Sequence, residues 1–426
     1  MSNPNKAFRL SEIESNQGIR FSHAGATPGH HCPMHTALSA VRSMKGVSTL
    51  VVGMPECGFY SRYVLENPIG VNGELHYTYI LDSNEVVFGC RDGLIAALEE
   101  MERDQAKAIV VVMTCIPALI GEDIAEITET FSEEHDTKAV CLDLAHYKRN
   151  GYEAGFYEIY AALTAFCDKP DPIKTSQRQV TLLGQASGAE ADLLKSWISK
   201  NDYQITEINP RLILQDFIQV TSSCLTIVTH IHFLPLAKKL EKEYEIPFVF
   251  LGGAYSLSEI KECYLEIQTR LSLSDIPEFP SFSLAEQLEA QVKKELAGSH
   301  FIVTNTIEDI LPLTKYLCSL SIKPCFLHLE EYQPWMKAWK EEIISYSANP
   351  LISYVVRKDA GEELLKESGF WEETGFRFSI GERGVGETAH IKAQRSLGLS
   401  SIGCERTFSL LKRLEGIWKE EHHATV

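Results

Sequence analysis

The chain has 426 residues, of which 44% are hydrophobic and 23% are charged, and its formal charge is −18 at pH 7. This length exceeds what one hydrophobic core supports, so we expect two or three domains in a globular protein of ordinary composition. Because no basic cluster offsets the negative charge, nucleic acid and anionic membrane surfaces are not expected partners.

Targeting segments are not evident in the sequence. Residues 1–29 contain no apolar core of signal-peptide length, and the longest apolar stretch, about 108–119, is too short to span a bilayer. We therefore expect a cytoplasmic protein. The 11 cysteines are an odd number in a large chain, so most are expected to be reduced, buried side chains rather than disulfide partners.

Short β-branched runs alternate with helical patterns along the chain, which is typical of domains with parallel sheets. The first part of the chain predicts strands at 49–52, 108–113 and 139–142, and helices at 91–103 and about 117–132. The polar segment 167–178 contains two prolines and is predicted to be a linker.

The rest of the chain repeats this alternation. Strands are predicted at 180–183, 225–228, 248–251, 301–304, 325–328 and 351–355, and helices at 190–199, 256–271, 308–320 and 401–414. We therefore predict an α/β fold of three doubly wound parallel-sheet, Rossmann-like domains around a central cleft. Their predicted boundaries are 1–170, 171–290 and 291–426.

Three cysteines in the first third of the chain lie in turn-like contexts beside proline or glycine: Cys32, Cys57 and Cys115. Cys57 and Cys115 follow predicted buried strands, and ligands of open α/β sheets bind at the carboxyl ends of the strands. Thiolates at that edge suit an iron–sulfur cluster. From these residues alone, ordinary buried thiols remain the more common interpretation.

Other chemistries have weaker signals. No Cys-x-x-Cys pair occurs, and the histidines around Cys32 (His30, His31 and His35) are more often solvated or capping side chains than zinc ligands. The stretch 381–388 has phosphate-loop glycine spacing but places Glu387 where a lysine is needed, which argues against ATP binding. His230 and His232 flank a predicted strand end and could move protons, although ordinary structural roles are commoner there.

A family resemblance appears when the segments are taken together. Residues 114–124 read TCIPALIGEDI and resemble the T-C-x-x-x-L-I-G-D-D-I signature of the nitrogenase component 1 family. Residues 57–62 are similar to its G-C-x-x-Y-x-R element, and residues 86–89, interpreted as a strand, add support, as do residues 244–248 and 403–406. The resemblance covers about 29–416, and the family includes dark-operative protochlorophyllide reductase and the nickel-tetrapyrrole reductive cyclase.

This resemblance implies a cofactor and partners. Two component 1 subunits, identical or homologous, would share an iron–sulfur cluster, [4Fe-4S] or a larger fused one, at their interface, with Cys32, Cys57 and Cys115 as its ligands. Electrons would come from a separate ATP-hydrolysing iron–sulfur reductase protein and pass to a small-molecule substrate or cofactor, with tetrapyrroles among the candidates. No nucleic acid or membrane partner is implied.

Departures from the family pattern narrow the function. Thr229 aligns where the molybdenum-type catalytic subunit supplies a cysteine to its large cofactor, and the surroundings of His390 do not match the family's cofactor-binding histidine. The resemblance therefore favours a nitrogenase-like reductase, or a non-catalytic scaffold for metallocluster assembly, over a dinitrogen reductase. A clusterless α/β binding protein is the third hypothesis, because fold alone does not set function.

Overall fold

The computed structural model describes residues 8–15, 32–148, 154–167, 178–305, 307–329, 331–353, 362–382, 384–393 and 401–423. The chain divides into two compact units. The cysteine unit comprises 24–185 and 204–248, and the C-terminal unit comprises 1–23, 186–203 and 249–426. The three-domain boundaries stay a prediction.

Strands and helices alternate through both units. The strands are β1 (Phe8–Arg9), β2 (Ser48–Gly53), β3 (His76–Ile80), β4 (Ala108–Met113), β5 (Lys138–Asp143), β6 (Gln179–Leu183), β7 (Gln204–Ile208), β8 (Leu225–Val228), β9 (Phe248–Phe250), β10 (His300–Val303), β11 (Lys323–His328), β12 (Leu351–Ser353), β13 (Arg377–Gly381) and β14 (Ala389–Lys392). The helices are α1 (Pro33–Val41), α2 (Pro55–Ser61), α3 (Ser83–Phe88), α4 (Arg91–Arg103), α5 (Cys115–Ile120), α6 (Ile124–Glu134), α7 (Ala154–Ala162), α8 (Ala189–Ser199), α9 (Leu214–Phe217), α10 (Leu234–Tyr244), α11 (Leu257–Leu271), α12 (Pro280–Glu295), α13 (Ile310–Ser319), α14 (Lys337–Ser345), α15 (Glu362–Glu367) and α16 (Gly403–His423).

The cysteine unit contains two sheets. The first has the order β3-β2-β4-β5 with parallel pairing throughout, and every residue of β2 and β4 is buried. Strands covered on both faces need nearly continuous apolar sequence, which is why β4 is apolar throughout and β2 is apolar from Leu50 onward. In the second sheet, of order β7-β6-β8-β9, β6 pairs in parallel with both β7 and β8.

The C-terminal unit is built on a six-stranded sheet of order β1-β12-β11-β10-β13-β14. Its pairings are parallel except at the edge, where β1 runs antiparallel to β12. Helix α16 packs along α12 beside this sheet. The predicted α/β fold with parallel sheets is confirmed. Within the described residues, no helix combines the length and apolar character needed to cross a bilayer.

A glycine–threonine contact recurs at the carboxyl edge of each sheet. In each case a threonine follows one strand, and a glycine ends or follows the neighbouring strand. The N–H and the hydroxyl of the threonine both donate to the carbonyl of the residue just before that glycine. A Cβ on the glycine would overlap the threonine hydroxyl, so only glycine allows this approach. The three pairs are Gly53 with Thr114, Gly184 with Thr229, and Gly381 with Thr304.

Two predicted elements need correction. Residues 86–89, predicted as a strand, belong to α3 and its C-cap. The reason is a capping box, in which Asp82 accepts the N–H groups of Asn84 and Glu85, and the Glu85 carboxylate accepts the N–H of Asp82. The single helix predicted over 117–132 is instead α5 and α6, because Gly121 ends α5 in the left-handed region at φ 79°.

Two further differences concern the ends of predicted regions. Most of the linker predicted at 167–178 lies outside the described residues. Helix α12, which follows the predicted break at 277–280, was not predicted, and α16 extends nine residues past the predicted end at 414.

Candidate metal centre

The three cysteines predicted as ligands belong to one unit and sit at the starts of helices. Cys57 lies in the first turn of α2, just after β2, and Cys115 is the first residue of α5, just after β4. These strands are neighbours, with Val52 opposite Met113, and the strand order reverses between them. Such a reversal point is where open α/β sheets bind ligands. Cys32 directly precedes α1, which contacts α2 and β2.

The thiol of Cys32 is affected by burial and by the other two cysteines. Burial raises the pKa of Cys32 to about 12, and the charges of Cys115 and Cys57 raise that pKa as well. The backbone N–H groups of Met34 and His35 act in the opposite direction and favour the thiolate. Charges act on one another more strongly the closer they lie, so Cys57 and Cys115 are electrostatic neighbours of Cys32. The adjacent ends of β2 and β4 and the contact of α1 with α2 place the three predicted residues in one region of the cysteine unit.

A backbone donor reaches one of the sulfurs. The N–H of His146 donates to Sγ of Cys115 at 3.3 Å. The loop that carries this N–H is held by Asp143, which accepts from the N–H of Ala145 at 3.1 Å and pairs with Lys148 at 2.6 Å. Donors to a ligand sulfur stabilise the thiolate and tune the potential of an iron–sulfur centre.

The donor set fits an iron–sulfur cluster. All three thiols are partly exposed, and each of the chain's cysteines is a free thiol. Soft sulfur ligands select iron–sulfur clusters or zinc, whereas oxygen ligands select magnesium and calcium. Three thiols are one fewer than the four that a cubane cluster usually takes. A cluster on this set would need a further ligand, as a second subunit could supply.

The histidines considered as proton carriers have structural contacts. His232 is buried, stacks on Phe156 at 4.7 Å between ring centroids and meets Tyr157 edge-on at 5.0 Å. His230 accepts the N–H of His232 at 3.3 Å and so caps the short helix that follows β8. A proton-transfer role for either stays a prediction.

Two other predicted features are only partly described by the structure. His30 and His31 lie outside the described residues, and His35 lies in α1 with its ring edge-on to Tyr60. In the stretch 381–388, Gly381 ends β13 and Glu387 is exposed, while residue 383 lies outside the described residues.

An exposed apolar surface next to the cysteines was not predicted. Helices α2, α3 and α5 and the turn after α2 carry what we call the apolar apron, whose side chains are 55–84% exposed: Phe59, Tyr63, Val87, Phe88 and Leu119. Glu122, just after α5, accepts the N–H of Cys90 at 3.1 Å and so ties the turn after α3 to α5. The capping box at Asp82 is a sequence signal for helix α3, which carries part of this surface. No local sequence pattern indicates that the apolar side chains of that helix are exposed.

Comparison with known proteins identifies the family. Residues 32–369 match the family described as nitrogenase component 1 type oxidoreductase. The chain belongs to this family.

Curated relatives in this family are distant. The chain is 26% identical over 196 residues to the nitrogenase molybdenum-iron protein alpha chain of Methanothermobacter marburgensis, covering 41% of this chain and 39% of that one. It is 23% identical to a light-independent protochlorophyllide reductase chain of Pyropia yezoensis, covering 40% and 36%. It is 21% identical to the iron-molybdenum cofactor biosynthesis protein NifE of Nostoc sp., covering 51% and 46%. Each match spans less than half of the relative's length.

A solved structure matches almost the whole chain. The structure described as nitrogenase Cp1 at pH 6.5 aligns with a TM-score of 0.67 and 13% identity, covering 96% of this chain and 97% of the other. At this identity the match establishes the fold, which is that of nitrogenase component 1.

Proposed function

We propose that this chain is a nitrogenase-like component 1 subunit that holds an iron–sulfur cluster on Cys32, Cys57 and Cys115. The observation that carries the proposal is geometric: Cys57 and Cys115 follow the neighbouring strands β2 and β4, and Cys32 directly precedes α1, which contacts α2 and β2. A bound cluster would supply one-electron chemistry. The proposed site is completed by a second component 1 subunit, identical or homologous, because this set offers three of the usual four ligands.

The electron donor we propose is an ATP-hydrolysing iron–sulfur reductase. A donor must approach the cluster closely, so its docking surface has to lie beside the cysteines. Phe59 and Leu119 of the apolar apron lie on α2 and α5, which start beside Cys57 and at Cys115, and α3, which carries Val87 and Phe88, contacts α5. Exposed apolar patches mark protein interfaces. Glu387 in place of a phosphate-loop lysine supports ATP hydrolysis by the partner rather than by this chain.

The proposed substrate is a small unsaturated molecule, with tetrapyrroles among the candidates. A protochlorophyllide reductase chain among the relatives supports this class. We do not expect this chain to reduce dinitrogen, because it has no cysteine at the position that aligns with the cysteine ligand of the large cofactor. There Thr229 is buried, and its hydroxyl donates to the carbonyl of Leu183 at 3.3 Å, so no thiol is offered.

A second candidate is a non-catalytic scaffold on which a metallocluster is assembled. Two curated relatives named as cofactor biosynthesis proteins support it. A reductase assay separates the two: ATP-dependent turnover of a tetrapyrrole or another small substrate supports the enzyme. Transfer of metal to an apo-protein without turnover supports the scaffold.

The cluster itself is tested by anaerobic isolation with iron and sulfide analysis, and by electron paramagnetic resonance after dithionite reduction. We expect Cys57→Ala and Cys115→Ala to abolish the visible absorption and the resonance signal. Cys141→Ala is the matched control, because Cys141 is a partly buried thiol within β5 of the same sheet. Colour that survives the Cys57 and Cys115 changes would overturn the assignment.

A further inference from the structure

The loop that follows β5 brings a backbone donor to one of the proposed cluster ligands. The N–H of His146 donates to Sγ of Cys115, with 3.3 Å between the nitrogen and the sulfur. His146 is the first residue of a single helical turn, His146–Lys148. The first N–H groups of a helical turn have no acceptor within the turn itself, so this donor is available to the sulfur.

This loop is anchored on the strand end from which Cys115 leaves. The N–H of Leu144 donates to the carbonyl of Met113 at 3.1 Å, and Met113 is the last residue of β4, two residues before Cys115. Leu144 and Ala145 are both buried. Because the loop and the cysteine share one anchor, the shape of the loop sets the distance between the His146 nitrogen and the Cys115 sulfur.

Asp143, the last residue of β5, holds the shape of the loop with its carboxylate. Oδ1 accepts the N–H of Ala145 at 3.1 Å, and Oδ2 accepts from Nζ of Lys148 at 2.6 Å. The N–H of Lys148 donates in turn to the carbonyl of Ala145 at 2.9 Å. The side chains of the ion pair are partly exposed, so the contact with Ala145 is expected to provide most of the constraint.

We propose that Asp143 is a positioning residue that raises the reduction potential of a cluster bound through Cys115. This inference rests on the proposed function. Reduction adds negative charge at the ligand sulfurs, so an N–H donor there stabilises the reduced form more than the oxidised form. Asp143 acts through the loop, because its contacts keep the N–H of His146 directed at Sγ of Cys115.

A first pair of variants isolates the donor. His146→Pro removes the N–H and suits the first position of a helical turn, whereas His146→Ala keeps the N–H. Redox titration of the anaerobically isolated full-length protein, followed by visible absorption, gives the midpoint potential. At a fixed solution potential, we expect the ratio of reduced to oxidised cluster to be about threefold or more lower in His146→Pro than in His146→Ala.

A second pair isolates the role of Asp143. Asp143→Ala and Asp143→Asn both remove the negative charge, but only asparagine keeps a side-chain oxygen that can accept the N–H of Ala145. A difference between them therefore reports the shape of the loop and not the charge. We expect the lower potential in Asp143→Ala. In the metal-free proteins, hydrogen exchange with mass spectrometry should show at least threefold faster exchange of the peptide containing His146 in Asp143→Ala than in Asp143→Asn.

The outcomes separate this inference from the proposed function. Iron-free unmodified protein would overturn the proposed function and this inference with it. Iron and a normal resonance signal in all variants, with equal potentials in His146→Pro and His146→Ala, would overturn this inference alone. If His146→Pro fails to fold, the Asp143 pair decides, and equal potentials with equal hydrogen exchange in that pair would overturn the positioning role.

Discussion

A Cβ atom on Gly53 would lie 2.1 Å from Oγ1 of Thr114 and 3.3 Å from Sγ of Cys57. The hydroxyl of Thr114 donates to the carbonyl of Val52 at 2.8 Å, so the two strand ends are held at a fixed separation. Cys57 and Cys115 leave the sheet from these two ends, and their spacing therefore depends on this contact.

We expect Gly53→Ala to lower the free energy of unfolding by about 1–3 kcal/mol, because an added methyl group must displace Thr114 or the Cys57 sulfur. Urea denaturation measures this loss, and iron content per chain should fall with it. A second change, Thr114→Ala, removes the overlapping hydroxyl and should restore part of the stability.

The control for this experiment is Gly416→Ala. Gly416 lies within α16, and an added Cβ would meet nothing within 4 Å. Alanine there is expected to be neutral or stabilising by up to about 1 kcal/mol. Equal stability of the Gly53 and Gly416 variants would show that the contact with Thr114 is not needed.

Phe88 is expected to matter for electron delivery. It is 84% exposed at the end of α3 in the apolar apron, where an aspartate would oppose an apolar partner surface. We expect Phe88→Asp to slow cluster reduction by the reductase partner about tenfold or more, with reduction by dithionite unchanged. Stopped-flow absorbance measures both rates.

Val71 supplies the matched control for Phe88. It is fully exposed in the turn before β3, at the amino ends of the strands and so at the opposite edge of the sheet from the cysteines. Val71→Asp should leave both reduction rates unchanged. Equal slowing by the two variants would mean that the apolar apron is not the docking surface.

The ion pair of Lys315 and Glu259 is expected to stabilise the C-terminal unit. Lys315 is buried, and it contacts Glu259 and lies 3.5 Å from Glu342. Breaking such a pair leaves an unpaired carboxylate, so Lys315→Met should cost about 3 kcal/mol in chemical denaturation. Lys337→Met is the control, because its pair with Glu341 is exposed, and it should cost less than about 1 kcal/mol.

The same pair predicts a pH dependence. Burial alone would raise the pKa of Glu259, but the hydrogen bond and charge of Lys315, together with two hydrogen bonds from Ser256, outweigh it and hold that pKa below its ordinary value of 4.5. Its contribution to stability is therefore complete above pH 4.5 and is lost as the pH falls through the lowered pKa. In Lys315→Met the stability should fall less steeply below pH 4.5. If the stability of Lys315→Met fell below pH 4.5 as steeply as that of the unmodified protein, this assignment would be contradicted.

Removal of the proposed cluster should expose its ligands to alkylation. We expect chelation to increase iodoacetamide labelling of Cys57 and Cys115, because both are partly exposed once no metal covers them. Cys141 should be labelled equally before and after chelation, and the buried Cys318 should stay unlabelled. Peptide mass mapping gives the extent at each position, and equal labelling of Cys57 in both forms would argue against a cluster there.

The central strands could be predicted because burial on both faces demands continuous apolar sequence. Cys57 and Cys115 could be singled out because each follows such a strand. Their convergence with Cys32 depends on strand order and on the packing of α1, which local sequence does not encode. The prediction of that convergence therefore rested on the family resemblance.

The wrong predictions have local causes. A short apolar run at 86–89 fits a strand or a helix equally well, and the capping box at Asp82 decided for the helix. The periodicity of apolar residues predicted one helix over 117–132, but the left-handed backbone of Gly121 ends α5 there and separates it from α6. The exposure of Phe88 has no signal in sequence, because an apolar residue at a helix end is usually buried.

The recurring glycine–threonine contact also fixes the position of the residue that follows each threonine. That residue is Cys115 in one sheet, His230 in the next and Asn305 in the third. One backbone arrangement is thus built three times, and each copy offers a different side chain: a sulfur, an imidazole or an amide. Exchanging a single amino acid at these positions would change the chemistry of a sheet edge while leaving its framework intact.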